Sequence, residues 1–230
     1  MSASTVFFSL LGGVLPALLW LWFWLREDRL NPEPRGIIIM SFFAGMAAVM
    51  FALPAEQWIW KAGWSTTAVI IAWAAIEEIA KFFAAYFSGL RRKEYDEPID
   101  ALIYLITAAL GFAALENTLF LSGILSKGIL FDGISLGILR FVGASLLHVL
   151  ASGTLGFFLG IGFYKRRSVK EIDWFIGLIA AIALHSVFNL FIINGAGSYT
   201  VTVFAFVWLS VILLMLGFEK VKQIREPQRP

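Results

Sequence analysis

Seven apolar stretches, at about 4–25, 36–54, 65–89, 98–122, 134–163, 173–194 and 198–217, divide this chain of 230 residues. Each approaches or exceeds the roughly 20 residues that carry a helix across a bilayer. A hydrocarbon core offers no water to free peptide groups, so a chain built this way must satisfy its backbone within helices or a closed barrel. The runs mix Leu, Ile, Phe and Ala without the period-two alternation of barrel strands, which predicts an all-α polytopic bundle of about seven transmembrane helices. With 60% apolar residues, 15% charged residues and a mean hydropathy of +0.82, the composition excludes a soluble globular domain and a disordered chain. A net charge of +2 gives no footing for nucleic acid, and the absence of cysteine removes disulfides and thiolate chemistry.

Basic residues set the expected orientation, because cytoplasmic loops carry the excess of Lys and Arg. Fourteen of the eighteen follow the first, third, fifth and seventh runs, among them Arg26, Arg29, Arg91, Arg92, Lys165, Arg166, Lys220 and Lys222. The other side holds Lys61, Lys127 and Arg140, the last placed to reach the outer interface, and Lys81 alone lies deep in a span. The N-terminus is therefore expected outside and the C-terminus in the cytoplasm, with Trp20, Trp22, Trp24 and Trp174 at one interface and Trp58, Trp60 and Trp64 at the other. The first run lacks a basic n-region and is too long for a cleavable signal. One domain over 1–230 is expected, with a short cytoplasmic tail at about 218–230 that meets anionic lipid. Locally, Ser65 is positioned to cap the third helix, Pro98 to sit in the first turn of the fourth, and Asn194-Gly195 to close the sixth.

A charge at mid-bilayer costs about 2.5–3.5 kcal/mol on insertion scales, so deep ionisable residues mark function. The deep polar set is Glu77, Glu78, Lys81, Glu116, Asn117, His148, His185 and Asn189, and it includes both histidines of the chain. At about 1.5 Å per residue, Glu77, His148, His185 and Glu116 lie roughly 18, 21, 14 and 9 Å below the outer ends of their spans. They can share one layer from mid-membrane toward the outer side. Glu77 and Lys81, like His185 and Asn189, are four residues apart and share a helix face.

Adjacent carboxylates in a dry environment resist joint ionisation, while Lys81 one turn away offsets the cost, so one glutamate can act as a base near neutral pH. A histidine in the layer can hold the proton, and Asn189 beside His185 offers an amide to a developing oxyanion. The deep layer has no Asp for a serine triad or an aspartyl dyad, and Ser152 reads as a helix-packing hydroxyl.

Four motifs follow in order: Glu77 to Lys81 is EExxK, Phe112 to Asn117 is FxxxEN, His148 to Gly156 is HxxxSGxxG, and His185 to Asn189 is HxxxN. Together, over about residues 74–190, they resemble the PrsW family of intramembrane proteases, with the wider CAAX prenyl protease and bacteriocin-processing group similar in the double glutamate and late HxxxN. The resemblance implies an intramembrane endopeptidase of the prokaryotic cytoplasmic membrane. Its substrate would be a single-pass, anti-sigma-factor-like membrane protein, cut near the outer side in regulated proteolysis. It further implies Glu77 as the base for water, Glu78 as its electrostatic partner, and His185 with Asn189 as oxyanion donors, with Lys81 and Asn117 in support. Where the CAAX pattern has FxxxH this chain has FxxxE, so polarising the water passes to Glu116 or His148. A glutamate-dependent, metal-free reaction is the expectation; the alternative is zinc, held by a set drawn from Glu77 or Glu78, Glu116, His148 and His185. Two other classes remain beside the peptidase: a proton or cation carrier lined by Glu and His, and a haem protein using His148 and His185 as axial ligands.

Overall fold

The computed structural model describes residues 2–29, 31–127, 143–194 and 200–226. Among these are seven α-helices and no strand. Helix α1 is Ala3–Leu25, followed by a 3-10 turn at Arg26–Asp28; α2 is Arg35–Lys61; α3 is Thr66–Ala85, prolonged by a π turn at Tyr86–Leu90. Helices α4 Asp100–Leu125, α5 Ser145–Ile161, α6 Arg167–Asn194 and α7 Thr200–Lys222 complete the bundle. Each expected span has its helix, although the first part of the fifth run, with Arg140, and the Gly195 expected to close α6 lie outside the described residues. By length and composition, Ala3–Asp28, Arg35–Lys61, Asp100–Leu125 and Arg167–Ile192 are able to cross a membrane. Helix α3 is as long but carries Glu77, Glu78 and Lys81, and the described part of α5 has 17 residues.

Local chemistry sets the helix starts. Ser2 Oγ accepts from the Thr5 amide at 3.1 Å, and Ser65 Oγ accepts from the Ala68 amide at 3.4 Å, the cap its sequence calls for. Pro98, expected in the first turn of α4, instead lies two residues before it. The cause is Asp100, whose Oδ2 accepts from the Asp96 and Glu97 amides at 3.0 and 2.7 Å and holds the approach to α4 as a turn.

Helix α4 is the axis of the bundle, buried at every residue from Asp100 to Ala114 and packed by α1, α2, α3 and α5. Lipid tails are as apolar as leucine, so helices in a bilayer associate through close packing, which favours small residues at crossings. Here α2 and α4 meet through Gly45 against the Ala108 carbonyl and Gly111 against the Phe42 carbonyl, and a Cβ at either glycine would collide with that backbone. Gly156 of α5 lies against Leu102 in the same way. The outward faces are apolar, with Phe43, Phe51, Leu19 and Leu213 exposed while Glu78, Lys81 and His148 are buried. An apolar exterior around a polar interior is the distribution of a membrane protein.

The segments that follow α1, α3, α5 and α7 gather at one end. Lys222 Nζ donates to Glu27 Oε2 at 2.7 Å, the Tyr95 and Phe163 rings stand 5.0 Å apart, and the Tyr104 hydroxyl donates to Glu33. The basic residues of these segments thus share one face of the molecule, as their sequence pattern anticipates.

Candidate active site

Helices α3, α4, α5 and α6 each bring polar side chains to one buried layer. On α3, Glu77, Glu78 and Lys81 occupy one turn; Lys81 Nζ donates to Glu78 Oε1 at 2.5 Å and stands 3.6 Å from Glu77 Oε2. Lys81 is fully buried, and its ammonium also lies 4.9 Å from the Phe112 ring centroid on α4. Across α5, Lys81 Nζ is 2.8 Å from His148 Nδ1. An ammonium has no acceptor capacity, so His148 Nδ1 takes its proton in hydrogen bonding and Nε2 carries the ring hydrogen. That Nε2 donates to Glu116 Oε2 at 3.0 Å. From α6, His185 Nδ1 donates to Glu78 Oε1 at 2.7 Å, leaving its Nε2 lone pair directed toward Glu77, 3.8 Å from Oε2.

The two neighbouring glutamates therefore differ. Glu78 accepts from Lys81, from His185 and, through Oε2, from Ser152 Oγ at 3.1 Å, so its lone pairs are engaged on three helices. Three donors hold it as an ionised anchor. Glu77 Oε2 is buried and has no hydrogen-bond partner. It faces His148 Nδ1 and His185 Nε2, each 3.8 Å away. A buried carboxylate oxygen without a donor is costly, and such an atom calls for a water or an ion.

The donor set fits a metal. Ligand atoms of Glu77, His148 and His185 all lie within 4.8 Å of one another, a carboxylate and two imidazoles of the kind that hold zinc with a fourth position open. Both histidines turn their far nitrogen to a carboxylate, His185 to Glu78 and His148 to Glu116, the outer contact that orients metal-ligating imidazoles. Glu78 and Glu116, considered as zinc ligands from sequence, thus back the histidines, while Glu77 supplies the oxygen between them. Lys81 Nζ occupies His148 Nδ1, so an ion held by that nitrogen requires the ammonium to turn away from it while keeping Glu78.

Of the other sequence candidates, Asn117 Nδ2 donates to Ser145 Oγ at 3.2 Å and joins α4 to α5. Asn189 is half-buried one turn from His185 and makes none of the hydrogen bonds that knit the layer among the described residues. Ser152, read from the sequence as a helix-packing hydroxyl, instead donates to Glu78, and HxxxS had already placed it on the His148 face of α5. One further residue escaped the sequence reading. Glu56, near the end of α2, is close enough for its charge to act on Glu77 and Glu116. It lines a cleft of about 400 Å³ with Leu53, Gln57, Trp60, Lys61 and Trp73. Only the packing of α2 on α3 reveals it.

Comparison with known proteins identifies the family. The family model described as PrsW family intramembrane metalloprotease matches residues 18–216. The chain is 28% identical over 231 residues to the protease PrsW of Geobacillus kaustophilus, covering 97% of this chain and 95% of that one. It is 25% identical over 218 residues to the protease PrsW of Bacillus subtilis, covering 93% and 94%. No solved structure matches. A match that spans the four helices of the buried layer and most of the bundle around them places this chain in the PrsW family of intramembrane proteases.

Proposed function

We propose that this protein is an endopeptidase of the cytoplasmic membrane that hydrolyses a peptide bond of a single-pass membrane protein, with water activated at Glu77. The observation that carries the reading is Glu77 Oε2, buried without a hydrogen-bond donor and 3.8 Å from both His148 Nδ1 and His185 Nε2. Zinc held by Glu77, His148 and His185 would act there as a Lewis acid and lower the pKa of a water in its open position. The remaining residues prepare the site. Glu78 and Glu116 fix the tautomers and ring planes of the two histidines, and Lys81 and Ser152 hold Glu78 in place. Glu116, with 29% of its side chain exposed, accepts from His148 Nε2 and is the carboxylate of the layer open to exchange protons with solvent. It would take the proton released by the attacking water and return it to the leaving amine. Asn189 would donate to the oxyanion once a substrate strand enters between α6 and its neighbours.

A metal-free reading has one observation in its favour: Lys81 Nζ, 2.8 Å from His148 Nδ1, already supplies a positive charge at this point. Glu77 would then take the proton from water directly. Along α4, Glu116 lies about 24 Å from the end where the basic segments gather. With those segments in the cytoplasm, the N-terminus outside and the C-terminus inside, the layer falls toward the outer leaflet. That depth suits a cut on the outer side of an anti-sigma-factor-like substrate in regulated proteolysis.

The test is a comparison of membrane-protein termini in cells carrying the native chain or Glu77→Gln, with zinc content of the purified protein measured in parallel. New termini within or beside single-pass segments, present only with the native chain, are the expected result. About one zinc per chain would make the enzyme a metallopeptidase, and cleavage by zinc-free protein would make it a glutamic one. Identical termini in both strains would overturn the assignment.

A further inference from the structure

A second acidic cluster lies far from the proposed peptidase centre. Asp28 closes the 3-10 turn after α1, Glu33 lies in the link to α2, and Asp100 begins α4. An oxygen from each of the three lies within 4.8 Å of the others. Asp100 and Glu116 are separated by about 24 Å along α4, so this cluster shares no ligand with the first.

Carboxylates crowd together harmlessly on a solvated surface, but these do not have that surroundings. Asp28 is 6% exposed and Asp100 is 1% exposed. Asp28 Oδ2 and Asp100 Oδ1 are both buried with no hydrogen-bond partner. The opposite Asp100 oxygen is occupied by the Asp96 and Glu97 amides, and one Glu33 oxygen accepts from the Tyr104 hydroxyl. Asp100 and Glu33 are thus held at fixed angles, while two buried oxygens of the cluster, Asp28 Oδ2 and Asp100 Oδ1, remain unsatisfied. None of the ion pairs among the described residues reaches these three carboxyls; the neighbouring Lys222 is spent on Glu27 and Glu219. Three like charges in partial burial are tolerable only with a counter-ion or with bound protons.

We propose that Asp28, Glu33 and Asp100 form a second cation site, specific for a hard divalent ion, that ties the α1–α2 link to the start of α4. Oxygen-only ligation selects calcium or magnesium over zinc. Calcium binds oxygens at about 2.3–2.6 Å, so oxygens up to about 5 Å apart can share one ion, and these three lie within 4.8 Å of one another. Water would complete the coordination number. The ion fastens the α1–α2 link to the start of α4, and its role is independent of how Glu77 works.

The experiment uses the full chain in mild detergent, carrying Glu77→Gln so that ion uptake at the first centre is disabled. Terbium is the probe, because Trp24, one turn before Asp28, and Tyr104, bonded to Glu33, are placed to sensitise its emission. Expected are saturable emission with about one ion per chain, displacement by calcium or magnesium, and a melting temperature that rises with either ion and falls with chelator. Asp28→Asn and Glu33→Gln each should weaken terbium at least about tenfold, since ligand charge sets affinity. Both variants keep the side-chain shape, and an unchanged melting temperature in chelator shows that they are folded. Relative displacement by calcium and magnesium identifies the ion. Emission that does not saturate, or that both variants leave intact, overturns the site. So does displacement by zinc alone, or a native melting temperature indifferent to calcium and magnesium; the carboxyls would then be held by shared protons.

Discussion

His185 Nδ1 and Glu78 Oε1 stand 2.7 Å apart across the contact of α3 with α6, although 107 residues separate them in the chain. The bond does two things at once. It directs the other histidine nitrogen at Glu77, and it helps Lys81 and Ser152 hold Glu78 ionised in the interior. Breaking it should therefore affect folding as well as activity. Glu78→Ala leaves a buried ammonium without its closest anion, a loss of about 3–5 kcal/mol where a buried pair is broken from one side. Thermal unfolding in detergent should show this loss, and the double change Glu78→Ala/Lys81→Met should recover part of it.

Glu77→Gln should behave in the opposite way. Glu77 Oε2 makes no hydrogen bond, so the amide costs the fold little, while loss of the carboxylate removes the group that faces both histidines. Cleavage of membrane substrates should fall by about 10²–10⁴-fold with the melting temperature nearly unchanged. A fully active Glu77→Gln protein would dismiss Glu77 as the activating group.

Ser152→Ala separates positioning from chemistry. The serine hydroxyl bonds the Glu78 oxygen opposite the one that His185 and Lys81 share. A hydrogen bond to a charged group contributes about 1.5–3 kcal/mol, so a measurable drop in stability is expected, with reduced but persistent cleavage. Ser152→Thr, which keeps the hydroxyl, should recover more activity than alanine.

Metal content distinguishes the two chemistries. If zinc is held as the donor set allows, it should be lost from His148→Ala and His185→Ala, while Asn189→Ala retains it and loses only turnover. Elemental analysis of the purified variants reads this directly. Zinc retained in both histidine variants would place any ion elsewhere.

The crossing of α2 with α4 predicts a packing effect without any polar group. Gly45→Ala drives a methyl into the Ala108 carbonyl and should destabilise by about 1–3 kcal/mol as the helices separate. Gly36→Ala in the same helix meets nothing within 4 Å and should be neutral or slightly stabilising. Paired melting curves of the two variants check the contrast.

Much of this is legible in the sequence. Runs of about twenty apolar residues leave the backbone no option but helices, and the cost of charge in a bilayer singled out Glu77, Glu78, Lys81, Glu116, His148 and His185, all of which meet in one layer. The i, i+4 spacing put Glu77 and Lys81 on one face because helical periodicity is local. The same locality limits what a sequence can say. It could not tell Glu77 from Glu78, since the difference lies in which one α5 and α6 reach: Glu78 is gripped from three helices and Glu77 is left open. Nor could it join Asp28, Glu33 and Asp100, which look like ordinary loop acids until α1 and α2 pack against α4 and bury them together. The sequence by itself determined the helices and which polar residues lie within them, because both follow from transfer of a local segment into hydrocarbon. Tertiary structure alone decided the partners of each carboxylate, because those depend on helix rotation and crossing, set by close contacts such as Gly45 on Ala108 between residues far apart in the chain.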